Sequence, residues 1–332
     1  MLRLLRPVVL IAALVLWAGG LSTHGLRWLY RVGVVADDYR YGDLYRFSAL
    51  PQFKHPQPTC PPAHRSADTA RTHLYVIGDS FTEPQRLSQA DFRVSRYVRV
   101  AWEHPQRVKL DTTKRNVLLL ETVERHVRSR SRVPVTELIV AADTSRPARV
   151  SWQQRVKDEV NLVNIEERLQ SVLFSHDWAF WFQELKARLT LNWFDRADPN
   201  VSLSRNQQAI FLGSDTDSKK PLYSSFSPVT DAEVTQIVDS LNATADRYRR
   251  LGFDEVYLSI IPNKASILEP NRGAYNHLIE RVQAHPALRV RAVDAYSVFK
   301  RAPHSPYLPG DTHWNCDGCR LWLRQVWQTL NL

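Results

Sequence analysis

The sequence predicts an α/β fold in which helices cover both faces of a parallel sheet, so that the domain has three α/β/α layers. Two observations support this prediction. From residue 72 onward, short apolar runs alternate with longer mixed segments, as strands alternate with helices in such folds. The runs are rich in Val, Leu and Ile, which is typical of strands that are buried on both faces.

Five of these runs are predicted as strands: 73–78 (HLYVIG), 97–102 (YVRVAW), 116–121 (NVLLLE), 254–261 (DEVYLSII) and 289–294 (RVRAVD). Residues 144–225 separate the third strand from the fourth and are predicted as a helical insertion. Part of this insertion has apolar residues at helical spacing: Ile165, Leu169, Val172 and Leu173.

The last helix is predicted to begin after Asn315, a suitable N-cap. Parallel sheets of this kind place their sites at the carboxyl ends of the strands, near the point where the strand order reverses. We therefore expect the functional residues to follow the predicted strands.

The amino terminus predicts a membrane signal. Residues 7–23 carry no charge and follow Arg3 and Arg6, which is typical of a signal peptide or signal anchor over residues 1–24. Because no clear cleavage site follows, we expect a single-pass anchor in the inner membrane with the remainder in the periplasm. A cleaved signal, leaving a soluble periplasmic protein, is the alternative. Residues 25–70, aromatic and then proline-rich, are predicted as an extended arm ahead of a domain at 71–332.

The chain is basic, with 44 Lys and Arg against 34 Asp and Glu and a net charge of +10. These basic residues are scattered along the sequence, so we expect no nucleic-acid partner. An acidic glycan or an anionic membrane surface would suit the same charge.

The three cysteines, Cys60, Cys316 and Cys319, are too few for a disulfide scaffold. An exported chain could form one disulfide and keep one thiol. Cys316 and Cys319 lie close to Asp311 and His313 in the sequence, which suggests a zinc site with four ligands. These four residues fall within nine positions, however, which is a tighter spacing than structural zinc sites have. A local disulfide or two buried thiols is favoured over zinc and over a redox Cys-x-x-Cys pair, and we expect no metal.

The most informative motif is LYVIGDSFT, in which Ser80 follows the first predicted strand. A serine becomes a nucleophile when a histidine removes its proton and an acid orients that histidine. The motif YLPGDTHWN supplies Asp311 and His313 two residues apart. In an extended loop such residues project to the same side, so Asp311 is predicted to bind one ring nitrogen and leave the other for Ser80.

Other residues are predicted to contact the substrate or the oxyanion. The Ser80 backbone N–H, at a strand-to-helix turn, is one oxyanion candidate, helped by the positive end of the following helix. Asp79 and Thr82 flank the serine and are further candidates. Arg125 follows the third strand and could enter the same crevice, although a Glu124–Arg125 pair is more often a surface ion pair.

Taken together, IGDSFT and DTHWN resemble the SGNH hydrolases over residues 72–330 outside the insertion. The closest resemblance is to the SGNH-like proteins of bacterial polysaccharide O-acetylation, the alginate type, which similarly have a strand ending in Glu-Arg and another ending in Pro-x-Lys (here Pro262 to Lys264). The chain departs from the alginate type because its serine precedes the acid–histidine motif, and it has no clear Gly-x-Asn-Asp block.

The resemblance implies a flavodoxin-like SGNH domain with Ser80 as nucleophile, His313 as base, Asp311 as its orienting acid and Arg125 in the site. It implies a serine acyltransferase that O-acetylates an exported polysaccharide, receives acetyl groups from a membrane-bound O-acyltransferase and needs no cofactor. The alternatives are an SGNH esterase or deacetylase of acylated glycans, and a non-catalytic polysaccharide-binding scaffold of an acetylation complex.

The insertion also contains an aromatic cluster. We expect it either to form the core of the insertion or to contact sugar rings or a membrane partner. Its members are Trp178, Phe180, Trp181, Phe182, Trp193 and Phe194.

Overall fold

The computed structural model describes residues 2–21, 23–36, 39–63, 71–102, 104–140 and 172–332. The chain divides into two compact units, Met1–Pro56 with Arg146–Asp198, and Gln57–Ser145 with Pro199–Leu332. The described elements, in chain order, are α1 (Leu2–Leu21), α2 (Thr23–Arg31), α3 (Asp43–Ser48), β1 (Thr72–Gly78), β2 (Arg96–Ala101), β3 (Gln106–Val108), β4 (Arg115–Val123), α4 (Glu124–Arg130), β5 (Leu138–Val140), α5 (Asp177–Phe194), β6 (Val201–Leu203), β7 (Ile210–Leu212), α6 (Gly213–Thr216), α7 (Asp231–Arg250), β8 (Glu255–Ile261), α8 (Lys264–Leu268), α9 (Leu278–Gln283), β9 (Arg291–Val293), α10 (Ala295–Lys300) and α11 (Cys316–Leu330).

The larger unit is built around a five-stranded sheet of order β2-β1-β4-β8-β9, in which every neighbouring pair is parallel. This confirms the predicted α/β class and all five predicted strands, whose ends differ from the prediction by at most two residues. Two short pairs lie outside this sheet, the parallel pair β3–β5 and the antiparallel hairpin β6–β7.

Each strand packs against helices on both faces because neighbouring side chains point to opposite sides. On one face, Tyr75, Ile77 and Leu118 join a core with buried residues of α7 and α9. On the other face, Leu74 and Val76 join a core with buried residues of α10 and α11. The sheet is therefore the middle layer of a three-layer arrangement.

The amino-terminal region contains helices where the sequence predicted an anchor and an extended arm. Helix α1 covers most of the predicted anchor, and α2, α3 and a 3-10 turn at Pro51–Phe53 lie within 23–63. Residues 64–70 lie outside the described part. Among the described residues, no helix has both the length and the apolar composition needed to cross a membrane.

Only part of the predicted insertion is described, because residues 141–171 lie outside the described ranges, and with them Ile165 and Leu169. Its described part consists of the long helix α5, the hairpin β6–β7 and the single turn α6. The predicted start of the last helix is confirmed, because the Asn315 side chain accepts the Gly318 N–H at 2.9 Å at the start of α11.

The cysteine pairing differs from the favoured expectation. Cys60 forms a disulfide with Cys316, and Cys319 is a buried free thiol, so the predicted local pair does not form. A disulfide sulfur is not a thiolate ligand, so the zinc site and the Cys316–Cys319 redox pair are also wrong here. The expected number of one disulfide and one free thiol is confirmed.

Reduction of this disulfide is expected to destabilise the larger unit. The bond joins residues 256 positions apart, and releasing it enlarges the conformational entropy of the unfolded chain. We expect reductant, or Cys60→Ser, to lower the free energy of unfolding by about 2–5 kcal/mol in denaturant titrations. Cys319→Ala is the matched control, and we expect reductant to lower its free energy of unfolding by as much as in wild type. Three reactive thiols in the oxidised, unfolded protein would contradict the pairing.

Candidate active site

The candidate site lies where the strand order of the sheet reverses. From β1 the chain runs to β2 on one side, and β4 then pairs on the other side of β1. Parallel α/β sheets of order 2-1-3-4-5 bind ligands in the crevice at this switch point. Ser80 follows the carboxyl end of β1, and α4 follows the carboxyl end of β4.

The turn that carries Ser80 differs from the prediction. Ser80–Thr82 form a single 3-10 turn, and the chain becomes extended again at Glu83. Among the described residues between β1 and β2 there is no α-helix. The predicted contribution of a helix dipole to the oxyanion is therefore wrong.

The structure brings together the three residues predicted as a nucleophile, a base and an orienting acid. The Ser80 Oγ lies 2.7 Å from Nε2 of His313, and Nδ1 of the same ring lies 2.5 Å from Asp311 Oδ1. Asp311 and His313 are buried, whereas Ser80 is partly exposed. Burial alone would raise the pKa of Asp311, but the hydrogen bond and charge of His313 hold it well below its usual range. A carboxylate held ionised in this way stabilises the imidazolium that proton transfer creates.

The acid–histidine loop is fixed by contacts from distant parts of the larger unit. Lys264 is buried, and its Nζ donates to the carbonyl oxygens of Leu308 at 2.7 Å, Pro309 at 2.8 Å and Asp311 at 3.2 Å. The Gln57 side-chain amide donates to Asp311 Oδ2. These bonds hold the loop that presents the acid and the histidine.

The histidine ring is also held by an aromatic neighbour. The Phe81 ring packs against the His313 ring with centroids 4.7 Å apart. Because Phe81 follows the nucleophile directly, this contact ties the serine turn to the histidine ring and limits its rotation.

Asp79 is the centre of a hydrogen-bond cluster beside the nucleophile. Its Oδ1 accepts the Ser80 backbone N–H at 2.9 Å, and its Oδ2 lies 2.7 Å from His126 Nδ1 and 2.5 Å from Arg130 Nη1. Burial would raise the pKa of Asp79, but the His126 hydrogen bond and the nearby cations hold it far below its usual range. The Ser80 N–H that was predicted to face the oxyanion is therefore bound to Asp79 in this structure.

Thr82 and Glu121 stabilise the same turn through hydrogen bonds. Glu121 is fully buried, and its Oε2 accepts the Asp79 N–H at 2.7 Å and the Thr82 hydroxyl at 3.0 Å. A Cβ at Gly78 would lie 2.0 Å from Thr82 Oγ1, so a glycine is required for this close approach. The Arg99 guanidinium donates to the carbonyl oxygen of Asp79 at 2.8 Å. As substrate or oxyanion contacts, Asp79 and Thr82 stay predictions.

Glu121 gives the folded protein a pH-dependent stability. Burial, followed by the charge of Asp79, raises the pKa of Glu121 from 4.5 to about 8. Between these values the unfolded chain releases a proton that the folded protein retains, so rising pH destabilises the fold through this group. In denaturant titrations at about pH 5 and about pH 8, we expect Glu121→Gln to remove this loss of stability. Parallel pH dependences in the two proteins would contradict the assignment.

A surface ion pair between Glu124 and Arg125 does not form, because both side chains are buried in the first turn of α4. Arg125 Nη1 lies 3.4 Å from Asp215 Oδ2 and 3.5 Å from Asn263 Oδ1. Glu124 Oε2 accepts the Asn263 N–H at 2.9 Å and the Ser266 hydroxyl at 2.6 Å. Arg125 is thus buried against an acidic and an amide partner, and its direct role in the reaction stays a prediction.

His126 is a residue of the site that sequence reasoning missed. Its side chain is 27% exposed although Nδ1 is bound to Asp79. The pKa of His126 is lowered, because burial and the charges of Arg125 and Arg130 together outweigh the hydrogen bond and charge of Asp79. The site therefore has two acid–histidine pairs, Asp311–His313 at the Ser80 hydroxyl and Asp79–His126 at its backbone N–H.

Comparisons of the chain with protein-family models, with curated protein sequences and with solved structures gave no match. The geometry of the site is therefore the observation that bears on its chemistry.

Proposed function

We propose that the protein is an extracytoplasmic serine acyltransferase of SGNH type that O-acetylates an exported polysaccharide. The observation that carries this proposal is the continuous hydrogen-bond chain from Ser80 Oγ through both ring nitrogens of His313 to Asp311. This arrangement is the one in which a serine hydroxyl becomes a nucleophile near neutral pH.

The reaction proceeds in two half-reactions at one serine. His313 Nε2 takes the proton from Ser80 Oγ as that oxygen attacks the acyl carbonyl of the donor, and it then returns the proton to the donor's leaving oxygen. An acyl ester on Ser80 remains. In the second half, His313 removes the proton of a sugar hydroxyl, whose oxygen attacks the ester, and it returns that proton to Ser80 Oγ as the bond between the acyl group and Ser80 breaks. Asp311 keeps the ring in the same orientation throughout.

The proposed compartment and acceptor are supported by separate observations. The Cys60–Cys316 disulfide suits an oxidising compartment outside the cytoplasm. The uncharged run 7–23 after Arg3 and Arg6 is the sequence feature that supports export, and a net charge of +10 suits an acidic glycan. The membrane-bound O-acyltransferase that would supply acetyl groups follows from the resemblance to polysaccharide O-acetylation proteins. The two half-reactions require neither a metal nor a nucleotide.

The experiment that tests the proposal measures where the acyl group goes. The purified full chain is mixed with an activated acetyl ester and an acidic oligosaccharide, and acetylated sugar and free acetate are quantified together. We expect acetylated sugar to rise with acceptor concentration at the expense of acetate. Acetate alone, at a rate independent of acceptor, would instead assign an esterase, because water and sugar compete for the same acyl-serine.

A further inference from the structure

Helix α5 presents an exposed apolar face within the unit formed by Met1–Pro56 and Arg146–Asp198. Its apolar residues recur every three or four positions, so they lie along one side of the helix. We call the following set the aromatic stripe, whose members are 39–75% exposed: Trp178, Trp181, Phe182, Leu185, Leu189 and Trp193.

The opposite face of α5 packs within its own unit. Ala179 is buried, and the Phe180 ring lies against the Tyr45 ring with centroids 5.3 Å apart. Glu184 is buried and accepts the Tyr45 hydroxyl. A row of exposed apolar side chains along one face of a helix marks an interaction site. The described part of the unit covers one face and leaves the aromatic stripe exposed.

The charges around the aromatic stripe identify the partner that fits it. The two acidic side chains of α5 are both paired: the exposed Asp177 lies 2.9 Å from Arg40, and the buried Glu184 lies 3.0 Å from Lys54. Lys186 and Arg188 are exposed and border the stripe on its two sides. The stripe therefore combines apolar side chains with a basic border and contains no acidic residue.

This pattern matches an anionic bilayer surface. Tryptophan favours the membrane–water interface, and Trp178 and Trp193 stand at the two ends of the stripe. Lysine and arginine extend from the interface toward lipid phosphates while their stems cover apolar surface. The same unit contains α1, whose apolar side chains are also exposed, at 49–62%: Val9, Leu10, Ile11, Leu14, Val15 and Trp17.

We propose that α5 lies in the plane of an anionic membrane surface, with the aromatic stripe inserted among the lipid chains and Lys186 and Arg188 at the phosphates. Helices of this kind bind through buried apolar area together with attraction to anionic headgroups. This proposal does not depend on the proposed acyl transfer.

Lipid contact can be measured at single positions of the full chain. Because Cys60 and Cys316 are bonded and Cys319 is buried, an introduced cysteine is the accessible thiol. A fluorescent nitrobenzoxadiazole label is placed at Leu185→Cys or Leu189→Cys, and at Asp239→Cys on the exposed side of α7 as the control. Each protein is reconstituted into vesicles of phosphatidylcholine and phosphatidylglycerol, with and without brominated acyl chains.

We expect brominated chains to quench the labels at 185 and 189 strongly and the control label at 239 weakly. Lys186→Glu combined with Arg188→Glu is expected to reduce this quenching in anionic vesicles and to leave it unchanged in pure phosphatidylcholine. Equally weak quenching at all three positions in vesicle-bound protein would overturn the proposal. Blue-shifted but unquenched labels at 185 and 189 would also overturn it, because a second copy or another protein would then cover the stripe.

Discussion

Ser80→Ala and His313→Ala are each expected to lower the turnover of an activated acetyl ester by at least about a thousandfold. The alanine at 80 removes the oxygen that attacks the carbonyl, and the alanine at 313 removes the group 2.7 Å away that accepts its proton. The double variant is expected to be no slower than either single variant, because the two side chains act as one unit. Initial rates of product release under saturating ester measure both effects.

A matched control separates catalysis from folding. Ser297 is a partly buried serine on α10, and Ser297→Ala is expected to keep wild-type turnover. Circular dichroism and unfolding midpoints of all variants show whether each is folded. Wild-type turnover in folded Ser80→Ala would contradict a chemical role for Ser80.

Asp79→Ala is expected to produce the largest loss of stability of any substitution near the site. Removing the buried carboxylate leaves the partly buried Arg130, His126 and Ser80 N–H without their shared acceptor. Loss of one partner from a buried charged cluster costs about 3–5 kcal/mol. Asp79→Asn keeps an acceptor oxygen but loses the negative charge, so its free energy of unfolding is expected to lie between those of alanine and wild type.

Denaturant titration measures this effect, and an exposed aspartate provides the control. Asp239→Ala, on the solvent side of α7, is expected to change the free energy of unfolding by less than about 0.5 kcal/mol. Asp79→Ala with a wild-type unfolding midpoint would contradict the assigned cluster. Loss of turnover in stable Asp79→Asn would show that this carboxylate also positions Ser80.

The sheet and the Asp311–His313 pair could be predicted because their signals are local, and the place of Ser80 followed from the strand before it. A strand buried on both faces needs a run of apolar residues, which is readable directly, as in 116–121. Asp311 and His313 are two residues apart, so their contact follows from backbone geometry. Ser80 follows a strand, and the carboxyl ends of parallel strands share one edge of the sheet.

The supporting polar residues could not be predicted because their partners are distant in sequence. Gln57 reaches Asp311 across 254 residues, and Lys264 reaches the same loop across 47. Glu121 is a single acidic residue at the end of a predicted strand. Its position in the sequence does not reveal that the Asp79 N–H and the Thr82 hydroxyl both donate to it. The 3-10 turn at Ser80–Thr82 replaces the predicted helix, and the Ser80 N–H donates to Asp79.

The most direct test of the central claim is a covalent one. The full chain is incubated briefly with an activated acetyl ester and quenched in acid, and its intact mass and peptide masses are compared with those of Ser80→Ala. We predict one acetyl group on the peptide that contains Ser80, present in wild type and absent in the variant. Turnover without any acetyl on Ser80, or an acetyl group that persists in Ser80→Ala, would contradict it.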